Sequence, residues 1–448
     1  MYSGQQEMCH GARCERHWQN SLLFAARNPH PRKNRGLPPG LARQWVTTAP
    51  RTPHLRAAAN TSGRRRTRTR LRYGAAMQPA AAIDHALPFR DALWVDVIDR
   101  STACPHLSVQ DLLHAGPPFR AAPPAPVAEA AVQALLYEGL AVDRAAAHAL
   151  LAGGTVRLLP AQDHGVASPL AQVISASMPL VVVQQGAARG YAPVVEGPAP
   201  ALRFGSADAE APRRLQRLGE TLRAGVAPLL EREPPAIDAL IRIAIAAGDE
   251  CHARTGAANE AMVAALRGLD AGIAAALRSN PGFVLALLMA AAAAALRTHG
   301  SAIEAIGGNG HAFGVRWQGD PEWRQMPADA PRGSRFAGFE TRTPLGAIGD
   351  SALIDFCGLG GQALAAAPLL AAEWAAVLPP DALSRRSVLI DPRSGLVDPR
   401  RVAQSGLGPL IDLAILDRDG AGLIGRGCYG PPAALFAADS RIQFSFSR

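Results

Sequence analysis

The stretch IAIAAGDECHARTG, residues 243–256, sets three groups able to move protons, Asp249, Glu250 and His252, in an otherwise apolar run. Read as a helix, it puts Ile241, Ile245, Asp249 and His252 on one face, and Gly256, Asn259, Val263 and Leu266 continue that stripe. A buried carboxylate without a partner costs several kcal/mol, so Asp249 and His252 each need one. At i, i+3 they can meet each other. A carboxylate that holds an imidazole fixes its tautomer and raises its pKa, which suits a general acid or base. Asp249, Glu250 and His252 are therefore the candidate catalytic residues. A satisfied structural Asp–His pair is the plain alternative, and Glu250 with Arg254 at i, i+4 reads more simply as a surface ion pair. No second His stands four residues on, so no metal site is expected. Gly248 and Gly256 leave room for a ligand or another backbone.

Three glycine-rich stretches offer anion chemistry: GGNGHAFG (307–314), GDSALIDFCGLGGQAL (349–364) and the run 404–427. Gly358, Gly360 and Gly361 immediately precede a helix-like segment. Such a loop presents free N–H groups and the positive end of a helix dipole to phosphate or carboxylate. Asn309, Gly310, Asp350 and Ser351 join them as candidate substrate- or anion-binding residues, Asp350 and Ser351 also as caps. None of the stretches is a G-x-G-x-x-G or a P-loop, and each read singly is also an ordinary tight turn. DRDG (417–420) lacks the spacing and closing Glu of a calcium loop and reads as a hairpin turn. Arg316 and Arg342 are possible cations for an anionic substrate, or solvated surface arginines.

The elements that must hold these groups are uneven along the chain. Of the 448 residues, the first 76 carry 15 basic and 2 acidic side chains, against 31 and 35 in the rest. The excess positive charge thus belongs to this Arg/Pro-rich segment, and the body is mildly acidic. Three readings of residues 1–76 compete: a nucleic-acid-binding tail, a transit peptide, and, favoured here, a stretch upstream of a true start at Met77. In each case disorder is expected, and nucleic acid is not an expected partner of the body. The only lysine is Lys33, so the body has no Schiff-base, pyridoxal-phosphate or P-loop lysine. Six scattered cysteines form no C-x-x-C pair and read as reduced thiols. The longest apolar run, 283–296, is too short to cross a bilayer.

From Met77 the pattern is that of an α+β, multidomain protein. It has an N-terminal α/β part (77–233), a helical middle (234–300) and a Gly-rich mixed α/β C-terminal region (301–448). DALWVDVID reads as a strand or short helix, PLVVVQQ as a strand, and RGYAPVVEGPAPALRFG as two strands around a Gly-Pro break. A helix opened by Pro234-Pro235 is expected to run to about 269, an Ala-rich one to follow Pro281-Gly282, and another to span about 362–377.

Five blocks occur in a familiar order: VISASMPLVVV, AAGDECHARTGA, GGNGHAFGVR, GDSALIDFCGLGGQALAAAP and GLGPLIDLAI…GAGLIGRG. Together they resemble the YlbE/YahG-like family (domain of unknown function number eleven-sixteen) over about 155–440, and more loosely from Met77. One branch, called AllG, is a subunit of oxamate carbamoyltransferase, working beside FdrA-like and AllH-like subunits. The resemblance implies a cytoplasmic complex that moves a carbamoyl group between oxamate and phosphate in allantoin breakdown, without a cofactor. This sequence departs from the family pattern at Ala247, at IDFC (354–357) and at IDLAILDR (411–418).

Overall fold

The structure, a computed structural model, describes residues 84–437. The reading of residues 1–76 and of a start at Met77 lies outside these. The fold is α+β, with helices between and beside four small sheets.

Strand β1 (Ala92–Asp99) pairs antiparallel with β4 (Pro179–Gln185), which pairs with β5 (Ala188–Pro193) across a short turn at Gly186. Between β1 and β4, β2 (Asp111–His114) and β3 (Arg157–Pro160) form a parallel pair. PLVVVQQ is buried along nearly its whole length, as a strand covered on both faces must be. Helix α1 (Ala125–Tyr137) follows the prolines that precede it.

The Ala-rich segment forms an interior helix. Eleven of its 15 residues, Val284–Thr298, are buried, as expected of a helix apolar on nearly every side. Its small side chains let β5 come close: a Cβ added at Gly190 would sit 1.9 Å from the Ala290 carbonyl oxygen. A single apolar cluster runs from Ala86 to Phe436 and draws residues from every part of the described chain. A smaller one joins Leu364, Leu370, Trp374 and Leu410.

The second sheet has the order β10-β6-β7-β8: β6 (Ile303–Asn309), β7 (Ala312–Trp317), β8 (Trp323–Pro327) and β10 (Ile348–Gly349). GGNGHAFG is thus the β6–β7 hairpin. The third sheet joins β9 (Arg332–Arg335), β11 (Ile411–Leu416) and β12 (Leu423–Tyr429), and DRDG lies in the β11–β12 turn. The four described cysteines are free and buried. Among the described residues no helix is long and apolar enough to cross a membrane.

Three expected elements differ. The long helix of the middle segment is two: α2 (Ile237–Ala246) and α3 (Gly256–Ala265), with a loop at 247–255. Gly248 takes φ +79°, and the Asp249 N–H reaches back to the Ala244 carbonyl at 3.0 Å, a left-handed glycine closure that ends a helix. Cys251, at φ +70°, turns the chain again. The strand expected after the Gly-Pro break is a 3-10 turn, Leu202–Phe204. The helix expected over 362–377 is broken into 3-10 turns and a short helix, Pro368–Glu373, because Pro368 cannot sit in a helix interior.

Candidate functional site

The loop at 247–255 is the centre of the site. Its side chains bind their own backbone first. Asp249 accepts from the Cys251 N–H at 2.9 Å, and from Ala257 and Ala258 at 2.8 and 3.3 Å, which caps α3. Glu250 Oε1 accepts the N–H groups of His252 (3.1 Å), Ala253 and Arg254 (2.9 Å), so one carboxylate oxygen gathers the whole turn. The Glu250–Arg254 surface pair does not form: Glu250 is completely buried and meets only the Arg254 backbone.

The carboxylate that holds the imidazole is also not Asp249. His252 Nδ1 lies 2.8 Å from Oδ2 of Asp355, a residue of the short helix α4 (Ala352–Phe356). Asp355 Oδ1 accepts the N–H of Gly361 at 2.7 Å and of Asp412, on β11, at 3.1 Å. The Asp412 carboxyl in turn hydrogen-bonds the Glu250 carboxyl. Among the described residues, Glu250 Oε2 and both Asp412 oxygens meet no N–H or O–H donor. Arg426 on β12 donates to the Ala253 carbonyl at 3.2 Å and sits 3.6 Å from Glu373.

The electrostatics follow from burial. Loss of water alone would lower the His252 pKa, but the Asp355 carboxylate and its hydrogen bond, with Glu250 nearby, outweigh this and raise it. Burial pushes Glu250 up against the pull of the Arg254 N–H, with the Asp249 charge adding to the rise. Burial, then the carboxylates of Asp355 and Glu250, hold Asp412 well above the carboxylate range. Cys251 is pushed well up by burial and its two acidic neighbours, so its thiol stays protonated.

The glycine loop serves this cluster. A Cβ at Gly360 (φ +52°) would lie 2.2 Å from Asp355 Oδ1 and 3.0 Å from His252 Cβ. Its N–H groups are engaged: Gly358 to the Asp355 carbonyl (3.0 Å), Gly360 to the Glu250 carbonyl (2.8 Å), Gly361 to the Asp355 side chain. Of the donors expected to cradle an anion, one thus holds a carboxylate of the protein itself and two hold backbone carbonyls.

The remaining candidates form a second group at the other end of α4. Asp350 is wholly buried and accepts from Gly116 N (2.8 Å), Gln162 Nε2 (2.6 Å) and Ser168 N (2.8 Å). Burial raises its pKa to about 7 against those three donors. Ser351 is buried beside it. Asn309 turns the β6–β7 hairpin by accepting from His311 and Ala312 while donating to the Pro117 carbonyl, and Gly310 (φ +88°) completes that turn. Arg316 pairs with Asp163 and Glu304, and Arg342 lies 3.9 Å from Asp417.

Asp249, Glu250, His252, Gly360 and Gly361 are therefore brought together, and Asn309, Gly310 and Asp350 are not among them. Asp355, Asp412 and Arg426 were missed. A signal existed for the first two: a single Asp inside each of the apolar runs ALIDF and LIDLAIL must find a partner if buried. The cluster is closed. Glu250, Asp355 and Asp412 are fully buried, His252 is 9% exposed, and the cavities of about 350 and 230 Å³ beside Arg267 and Asn280 share no residue with it.

The family model described as "Oxamate carbamoyltransferase subunit AllG" matches residues 156–351. The Escherichia coli (strain K12) protein of that same description is 32% identical over 77% of this chain and 91% of its own length. The chain belongs to the AllG/YahG family. A second relative, the uncharacterized protein YahG of the same organism, is 30% identical over 74% of this chain and 78% of its own. A solved family-like structure, a conserved protein of unknown function from Enterococcus faecalis V583, superposes with a TM-score of 0.68 at 26% identity, over 79% of this chain and 94% of that one. The AllG model match includes Glu250, His252 and Asp350 and stops before Asp355, Gly360 and Asp412.

Proposed function

We propose that this chain is a subunit of a carbamoyltransferase-type complex, moving a carbamoyl group between oxamate and phosphate beside FdrA-like and AllH-like subunits. The observation that carries this reading is the buried His252–Asp355 pair beside Glu250 and Asp412 in a member of the AllG/YahG family. The chemistry asks for such a group. When the bond between the carbamoyl carbon and the oxamate nitrogen breaks, the electron pair goes to nitrogen, which must take a proton, while a phosphate oxygen bonds the carbon. An imidazole kept protonated by a carboxylate is a suitable acid for that nitrogen, and in the reverse direction it takes the proton back. No redox step is involved. The substrate's negative charge calls for cations or N–H donors, which Arg426, or the glycine loop once its internal bonds are released, would supply.

The closed state of the cluster favours a second reading. With every glycine-loop N–H engaged and His252 buried, the cluster also works as an internal lock in an assembly subunit without catalysis of its own. One experiment separates the two. The full chain is co-expressed with its FdrA-like and AllH-like neighbours, supplied with oxamate and carbamoyl phosphate, and phosphate release is followed. The expected outcome for His252→Ala, checked for intact assembly, is a loss of roughly 10²–10⁴-fold in turnover. Unchanged turnover moves the chemistry to a partner subunit, and an inactive wild-type complex points to another carbamoyl or amide substrate.

A further inference from the structure

Glu250 belongs to the 247–255 loop and Asp412 to strand β11, yet their carboxyls meet with three oxygens that no other donor among the described residues reaches. Two ionised carboxylates cannot rest in contact without water. We propose that Asp412 is a positioning residue: it holds one proton in common with Glu250, and this shared proton latches the loop, and with it His252, against Asp355. Loss of the proton leaves two negative charges facing each other and frees the loop, which opens the sealed cluster. Glu250 ties that event to the backbone, because its other oxygen gathers the N–H groups of His252, Ala253 and Arg254.

The groups that face the pair are Asp249 and His252 from the same loop, Asp355 from α4, and Arg426 and Cys428 from β12. Two are cationic or can become so, His252 and Arg426. They oppose the release without removing it, because neither gives a proton to the three unreached oxygens. The latch rests on the three buried carboxyl oxygens that meet no donor among the described residues and on the N–H groups that Glu250 gathers. Its bearing on turnover rests on the function proposed above.

The test compares wild type, Asp412→Asn and Asp412→Ala by hydrogen exchange of the Ala253 and Arg254 amides in the full chain, each rate divided by its unfolded-chain value to remove the intrinsic pH effect. An Asn amide donates to Glu250 without titrating, so D412N is expected to stay protected as pH rises. Wild type is expected to match D412N on the acid side and to lose protection above the pair's titration, about tenfold per pH unit. D412A is expected to be unprotected throughout. A wild-type chain whose protection does not change with pH, or a D412N chain that loses it in parallel, overturns the latch. If D412A does not fold, wild type against D412N still decides. Infrared spectra add a second readout: a neutral carboxylic C=O band should disappear in both D412N and Glu250→Gln, while that of Asp350 remains. A band that survives in both variants also overturns the proposal. In the assembled complex, wild-type turnover should rise as the cluster opens above the pair's titration, and that rise should be absent in D412N. An inactive complex whose exchange behaves as described would sink the proposed function and leave the latch standing.

Discussion

His252 and Asp355 stand 103 residues apart in sequence and 2.8 Å apart in space. At the scale of single residues, Asp249 and His252 were legible as groups that need partners when buried, but the identity of those partners was not, and Glu250 read as a surface ion pair although it is buried. Sequence spacing offered Asp249 at i, i+3, while the fold used Asp249 as a cap and supplied a carboxylate from another helix. Asp350 shows the same principle with a measurable consequence. Burial raises its pKa to about 7, above the value of an unfolded chain. Its contribution to stability is therefore fully present below about pH 4 and is lost as pH rises through about 7. Asp350→Asn sets an amide against the N–H of Ser168 or Gly116 and should cost about 1–3 kcal/mol at pH 4. Urea unfolding of both proteins should show this gap narrowing between pH 4 and 7. A gap that widens would mean that the three donors, not burial, govern Asp350.

Among the elements, β4 and the Ala-rich helix were readable from residue type and flanking prolines, while β1 stayed open between a strand and a short helix. The break between α2 and α3 was not readable. The apolar stripe continues through it, and only the φ values of Gly248 and Cys251 show that the chain turns twice. The break has a purpose in packing: it brings the start of α3 over the Asp249 carboxylate and lets Glu250 fold its own turn. Asp249→Ala should remove that cap and leave the Ala257 N–H unpaired, at a cost of about 1–3 kcal/mol. The urea midpoint of the full chain measures it, and a change below about 0.5 kcal/mol would show that water replaces the carboxylate there.

The molecule as a whole depends on a backbone-to-backbone contact. Gly190 on β5 rests against the Ala290 carbonyl, and alanines along the interior helix keep that face flat. Ala290→Leu inserts three carbons into a fully buried position and should destabilise by about 1–3 kcal/mol, read as a lower thermal midpoint. An unchanged midpoint would show that the helix can move away from the sheet. What the sequence by itself determined is the α+β class, the apolar segments, the family, and the cost of burying Asp249 and His252, because these follow from local composition, period and residue type. Tertiary structure alone decided that Asp355 and Asp412 complete the cluster and that the glycine loop spends its N–H groups on Asp355 and Glu250. Those contacts join a loop, a short helix and a strand far apart in sequence. The free energy of pairing a buried charge depends on which groups meet in space, and spacing along one helix cannot contain that.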